Sequence, residues 1–261
     1  MTPKSIASIN QLAANEKVAI YTRFIPNALL QQFSIDSDFN DAEGKSLLTL
    51  RFKEGSTDVV LDLRHEFGAQ DPLLYTHLSD TMNGQIHVLL YIVNDPNSPR
   101  FGIDKMPDGT PTEFGVFRRN LSEEEKALLA GLAPGQVRRG LRLLKHSISA
   151  FDEFVQALGH DVYFIDPLFY HNAIVFERYG FSYQKGRRLM QWINSRFQPD
   201  GDLYEKLDDS APFRKPEFYR SIRGRSWAIH DCILGEPYSN VIMYKIIAKN
   251  AGLSTFPDAQ W

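Results

Sequence analysis

The sequence predicts an α+β protein whose largely antiparallel mixed sheet is crossed by two helices, with elaborations at both ends of the chain. Three stretches carry that expectation. Residues 87–93 (HVLLYIV) form an almost wholly apolar run, as a central strand covered on both faces does. Residues 135–158 place Val137, Leu141, Leu144, Ile148, Phe151, Val155 and Leu158 at alternating spacings of four and three, giving one buried stripe along a long helix. Residues 159–183 (GHDVYFIDPLFYHNAIVFERYGFSY) read as strand, helix, strand. Strand formers at 162–165 meet an Asp166-Pro167 stop, a helical face runs through Ile174, Val175 and Tyr179, and Gly180 is a left-handed terminator.

The other elements follow in order. Residues 17–24 (KVAIYTRF) alternate as a strand does, and Pro26 opens a helix with Leu29, Leu30 and Phe33 on its buried face. Two β-rich runs, 46–52 and 58–63, flank KEGST as a hairpin. Asp71-Pro72 opens an expected short helix through Leu73, Leu74, Tyr75 and Leu78, closed at Asn83-Gly84. Residues 100–105 and 113–118 extend the strand at 87–93 into a meander through the turns NDPNSP and MPDGTPT. Ser122 caps a helix whose first turn carries Glu123, Glu124 and Glu125. Residues 186–193 continue as strand or short helix, 198–225 as irregular surface, 227–233 as a strand and 240–251 as a helix. The chain thus falls into N-terminal strands and helices (1–84), a core (85–197) and a C-terminal appendage (198–261), or packs as one domain.

Composition narrows the partners. With 29 Lys and Arg against 32 Asp and Glu, the net charge of -3 provides no global field to draw nucleic acid or anionic lipid. Arginines and aromatics interleave over 186–225, a mixture that stacks single strands, but Asp200, Asp202, Glu205, Asp208 and Asp209 dilute it. Nucleic acid is therefore not the expected partner. The lone cysteine, Cys232, excludes an internal disulfide and reads as a small buried hydrophobe in a reducing compartment. No stretch reaches the ~20 apolar residues of a bilayer span, and the N-terminus lacks the apolar core of a leader. A cytoplasmic location follows as an expectation. The aromatics of 198–261 either cover the core or form a homo-oligomer interface.

The order of meander, long helix, strand, helix, Gly-Phe and strand, with Glu177-Arg178-Tyr179-Gly180-Phe181 ending the second helix, resembles the GNAT superfamily of N-acetyltransferases over residues 85–195. The resemblance implies an acyl-CoA-dependent N-acyltransferase that uses acetyl-CoA or another acyl-CoA on a small-molecule or protein amine. It implies a pyrophosphate loop at the start of the long helix, where Gln136, Arg138, Arg139 and Gly140 lie. Gly140 matches that loop. Val137 and Arg142 stand where the family carries Gln or Arg and a small residue, and Phe176 where many members carry a tyrosine that protonates the leaving thiolate.

The residues also speak for themselves. A helix N-terminus presents unpaired N–H groups, and arginines beside it add charge-assisted donors for a phosphorylated ligand, although the same arginines also read as a solvated face. Acyl transfer to an amine needs a base, a donor for the oxyanion and an acid for the thiolate. Glu113 is the nearest candidate base, and it also reads as an edge-strand acid. Tyr170, His171 and Asn172 bring a phenol, an imidazole and an amide to a strand-to-helix junction, where Tyr170 or His171 could replace the missing acid or all three could simply cap and pack the helix. The departures at Val137, Arg142 and Phe176 favour the alternative of a non-catalytic ligand-binding or interaction protein that keeps the fold. A third reading, a metal-dependent enzyme, draws on His160, Asp161, Asp166 and His171 but finds no ligand motif.

Overall fold

A computed structural model describes residues 3–112 and 118–261 as an α+β fold. The chain begins with α1 (Ile6–Ile9), α2 (Ala14–Tyr21) and α3 (Asn27–Gln32), followed by β1 (Leu48–Arg51), β2 (Asp58–Leu63), β3 (Leu74–Asp80) and β4 (Ile86–Val93). Then come α4 (Leu121–Leu129), α5 (Leu144–Ala157), β5 (Val162–Ile165), α6 (Tyr170–Arg178) and β6 (Ser182–Lys185). The remainder is α7 (Arg187–Arg196), α8 (Asp202–Glu205), α9 (Ile222–His230) and β7 (Ile242–Ile246). A seven-stranded mixed sheet takes the order β1-β2-β3-β4-β5-β7-β6, antiparallel from β1 to β4 and parallel from β4 to β5.

Two units divide the chain, each assembled from three separated segments. The first comprises Met1–Asn97, Gly140–Asp166 and Tyr244–Lys249, and the second Ser98–Arg139, Pro167–Met243 and Asn250–Trp261. In the first unit the strands bury alternate residues: Val59, Leu61 and Leu63 on β2, Leu74, Thr76 and Leu78 on β3, Ile86 and Val88 on β4. Phe151 and Phe154 of α5 lie 5.6 and 5.2 Å from the Phe24 ring, joining helix to helix with ring contacts beyond simple area burial. In the second unit Trp227 of α9 centres a cluster with Ile103, Ala127, Leu132 and Phe213.

The stretch 159–183 folds as its residues predict. Val162–Ile165 is a strand, α6 follows, and Gly180 at φ +84° stops it, in a position where a methyl group would lie 3.0 Å from Asn250 Cα. Several other expectations are corrected. Residues 17–24 are helical because the buried positions, Lys17, Tyr21 and Phe24, are spaced by four and three. The expected helix after Asp71-Pro72 is the strand β3, whose burial alternates from Leu74 to Leu78. The long helix begins at Leu144, nine residues after Gly135, because Gly135 and Arg142 both take left-handed φ angles. The arginines 138, 139 and 142 therefore sit in the preceding loop.

Residues 100–105 form turns, with Lys105 N–H bonded to the Gly102 carbonyl at 3.2 Å, and the strand expected at 113–118 falls almost wholly outside the described residues. Asn120, not Ser122, caps α4. The strand expected at 227–233 is instead the helix α9, started by the Ser221 hydroxyl accepting from Gly224 N–H at 3.0 Å. The helix expected at 240–251 is the strand β7, where Met243 and Lys245 are buried alternately with half-buried neighbours. Cys232 is exposed rather than buried.

One close contact yields a test. Gly201 precedes α8 where a methyl group would lie 2.1 Å from the Arg196 carbonyl oxygen, a backbone atom that cannot swing aside. Gly201→Ala should lower stability by about 1–3 kcal/mol, measured by chemical denaturation, and an unchanged midpoint would rule the contact out.

Candidate functional site

In the first unit, one flank of β4 carries few strand pairings. On one side β4 pairs with β3 over its length. On the other it pairs with β5 only at His87↔Phe164 and Val88↔Ile165, and the Asp166 N–H closes the ladder on the Val88 carbonyl at 3.0 Å. Pro167 then ends any pairing. From Leu89 to Val93 every residue is half-buried, on both faces, although β4 is an interior strand. The β3 register jumps between His77 and Leu78, which pair with Leu90 and Val88, so Leu89 is the extra residue of a bulge. A bulge breaks the regular ladder and re-aims the main-chain groups beside it.

Two further groups border this flank. At the fork, His87 Nε2 lies 2.8 Å from Asp166 Oδ1, with both side chains partly exposed. The Phe164 ring stands edge-on to the imidazole at 6.3 Å. At the far end of β4, Gly140 brings the loop before α5 close to the strand, since a methyl group there would lie 3.4 Å from the Val93 carbonyl oxygen. No side chain caps α5, and its first turn carries no acid, so its N–H groups and positive dipole end are not neutralised by the helix itself.

The residues singled out from sequence take varied places. Gly140 belongs to the first unit, whereas Gln136, Arg138 and Arg139 belong to the second. Gln136 closes a local turn by accepting from Ala133 N–H at 2.8 Å. Arg138 donates to the Ser98 carbonyl, and Arg139 donates from Nη2 to the Ala130 carbonyl at 3.0 Å. Glu113 lies outside the described residues.

Tyr170, His171 and Asn172 open α6 in the second unit. Tyr170 is buried, which pushes its phenol up to about 12 against the pull of the Arg225 charge. His171 Nδ1 shares a 2.9 Å hydrogen bond with the Ser226 hydroxyl, and Phe169 stacks on its ring. Burial, helped by His230, pulls the imidazole down to about 3, so His171 is neutral at ordinary pH. The pair has the composition of a nucleophile and its base, but both are buried, Ser226 1% and His171 6% exposed. Asn172 donates its main-chain N–H to the Phe169 carbonyl, and its Oδ1 is buried without a hydrogen-bond partner among the described residues. Phe176 packs on Phe181 in the core.

The second unit also holds a chain of alternating charges. Arg214 donates from Nε to Asp231 at 2.8 Å, Arg119 bridges Asp231 and Glu124, and Glu124 accepts from His230 at 3.1 Å. Burial pushes the Glu124 carboxyl up, but its bonds to His230 and Arg119 outweigh this and leave it below the usual range. Each charge is matched, so the chain of groups holds α4 to α9 and leaves none unspent for chemistry. Among the described residues, no three His, Cys, Asp or Glu side chains are grouped to hold a metal ion, and no helix is long and apolar enough to cross a membrane.

His87 was hidden in the sequence as the first residue of an apolar strand, and Asp166 as a strand stop. They lie 79 residues apart, and no local pattern joins them. Comparison with known proteins finds no matching family model, no similar curated protein and no similar solved structure.

Proposed function

We propose that the first unit binds an acyl-CoA along the open flank of β4 and transfers its acyl group to an amine. The observation that carries this reading is the half-buried run Leu89–Val93 in an interior strand whose partner β5 has already ended. A strand edge of unpaired N–H and C=O groups can pair with an extended, amide-bearing arm as it would with a peptide. The uncapped N-terminus of α5 suits a phosphate group. The resemblance of residues 85–195 to the GNAT superfamily points the same way.

When bound, the thioester supplies an activated acyl carbon, to which the amine nitrogen bonds as the carbon–sulfur bond breaks. His87 is the base in this reading. Asp166 holds its Nε2, fixes the ring and stabilises the imidazolium, which leaves Nδ1 to take the proton that the amine loses and to release it toward the thiolate. A main-chain N–H beside the Leu89 bulge is the donor for the oxyanion.

Acetyl-CoA should raise the melting temperature in a concentration-dependent way, because a ligand that binds only the folded state stabilises it by mass action. No shift at saturating coenzyme overturns the reading. His87→Ala should then lower kcat by about 10²–10⁴ with coenzyme affinity retained. A shift with no acyl transfer to any of a panel of amines would instead support a non-catalytic binding protein.

A further inference from the structure

The second unit contains a cavity of about 390 Å³ that the acyl-transfer reading does not use. That volume suits a metabolite-sized ligand. Arg225 lines it. This arginine is 1% exposed, and its Cζ lies 3.5 Å from the centroid of the Phe256 ring and 5.0 Å from that of Phe197. Its Nε donates to the Tyr219 carbonyl at 2.6 Å and its Nη1 to Asn194 Oδ1 at 2.8 Å.

These contacts fix the guanidinium in plane and position without neutralising it. No carboxylate of the described residues forms an ion pair with Arg225, and Nη2 donates to none of their carbonyls or carboxylates. Burial lowers the affinity of Arg225 for its proton, with Tyr170 opposing, which is the mark of a cation that has lost its water without gaining a counter-ion. Two half-buried arginines of this unit behave differently. Arg119 and Arg214 each meet a carboxylate within 2.9 Å. Around Arg225 the wall adds the amides of Gln198 and Gln260 and the cation Arg220, against one carboxylate, Asp258. The charged lining is thus two cations to one anion, with the buried cation positioned beforehand for a forked hydrogen bond.

We propose that this cavity binds a small organic anion, a carboxylate or a phosphate monoester, with Arg225 receiving its charge and the amides of Gln198 and Gln260 its remaining oxygens. The proposal is independent of the acyl-CoA site and stands if that reading fails.

Isothermal titration of the whole chain with benzoate, phenyl phosphate and neutral benzyl alcohol tests it. At least one of the two anions should bind, the neutral alcohol should not, and the choice between the anions identifies the head group. Arg225→Met should weaken that binding about tenfold or more with an unchanged circular dichroism spectrum. Asp258 is exposed and on the rim, so Asp258→Asn should keep the fold and tighten binding several-fold by removing like charge, on the order expected for a partly screened contact. The proposal is overturned if neither anion binds at millimolar concentration, or if binding persists undiminished in Arg225→Met. If Arg225→Met does not fold, Asp258→Asn decides: tighter binding supports the site and unaltered binding refutes it.

Discussion

Trp227→Ala is expected to remove about 3–5 kcal/mol of stability, the range for deleting a large aromatic side chain from a core that cannot collapse around the gap. Trp227 is fully buried in α9. Its ring stacks on Phe213 at 5.2 Å and meets His230 edge-on at 5.8 Å, while Nε1 donates to the buried Leu132 carbonyl at 2.8 Å. The loss therefore has two parts, and Trp227→Phe separates them. Phenylalanine keeps most of the volume but leaves the Leu132 carbonyl without its donor, which alone should cost about 1–3 kcal/mol. Urea denaturation followed by far-ultraviolet circular dichroism reads both. A Trp227→Phe midpoint equal to that of the parent would show that the indole hydrogen bond contributes nothing.

Acid should destabilise the protein through His171. The imidazole has an ordinary value of 6.5 and is pulled down to about 3 in the fold by burial and by His230. Between those values the unfolded chain binds a proton that the folded chain refuses, so the stability of the fold falls as pH is lowered from 6.5 toward 3. The slope is up to about 1.4 kcal/mol per pH unit, or about 2 kcal/mol at pH 5 relative to pH 7.5. His171→Gln removes the titrating group, and the difference between the two proteins isolates it from the depressed Glu124 carboxyl, which acts below its own ordinary range. Equal pH slopes in the parent and in His171→Gln would sink this account.

How much of this was legible depended on how local each signal was. The strand, stop, helix and turn of residues 159–183 could be read because Asp166-Pro167 and Gly180 act on their immediate neighbours. Residues 17–24 and 240–251 could not, since each pattern admits two periods and packing chose between them. Tyr21 and Phe24 turn inward together on one, Met243 and Lys245 alternately on the other. The helix expected from Gly135 shows the same limit, because apolar spacing continued through a loop that left-handed residues had already broken. The sites were less legible still. His87 meets Asp166, and Arg225 meets Asn194 and Phe256, only after the chain has returned over long distances. Tyr170 and His171 drew notice for their chemistry, yet chemistry alone does not reveal that both are buried.

The interleaving of the two units constrains how this protein can be made. Each draws a segment from residues 244–261: Tyr244–Lys249 belongs to the first and Asn250–Trp261 to the second. A chain emerging from the ribosome therefore cannot finish one unit and then begin the other. Both wait for residues 244–261, and until then the β5 edge lacks β7 and the Arg225 guanidinium lacks the Phe256 ring. Closing either unit therefore joins segments that lie far apart in the sequence, and contacts of that kind form slowly.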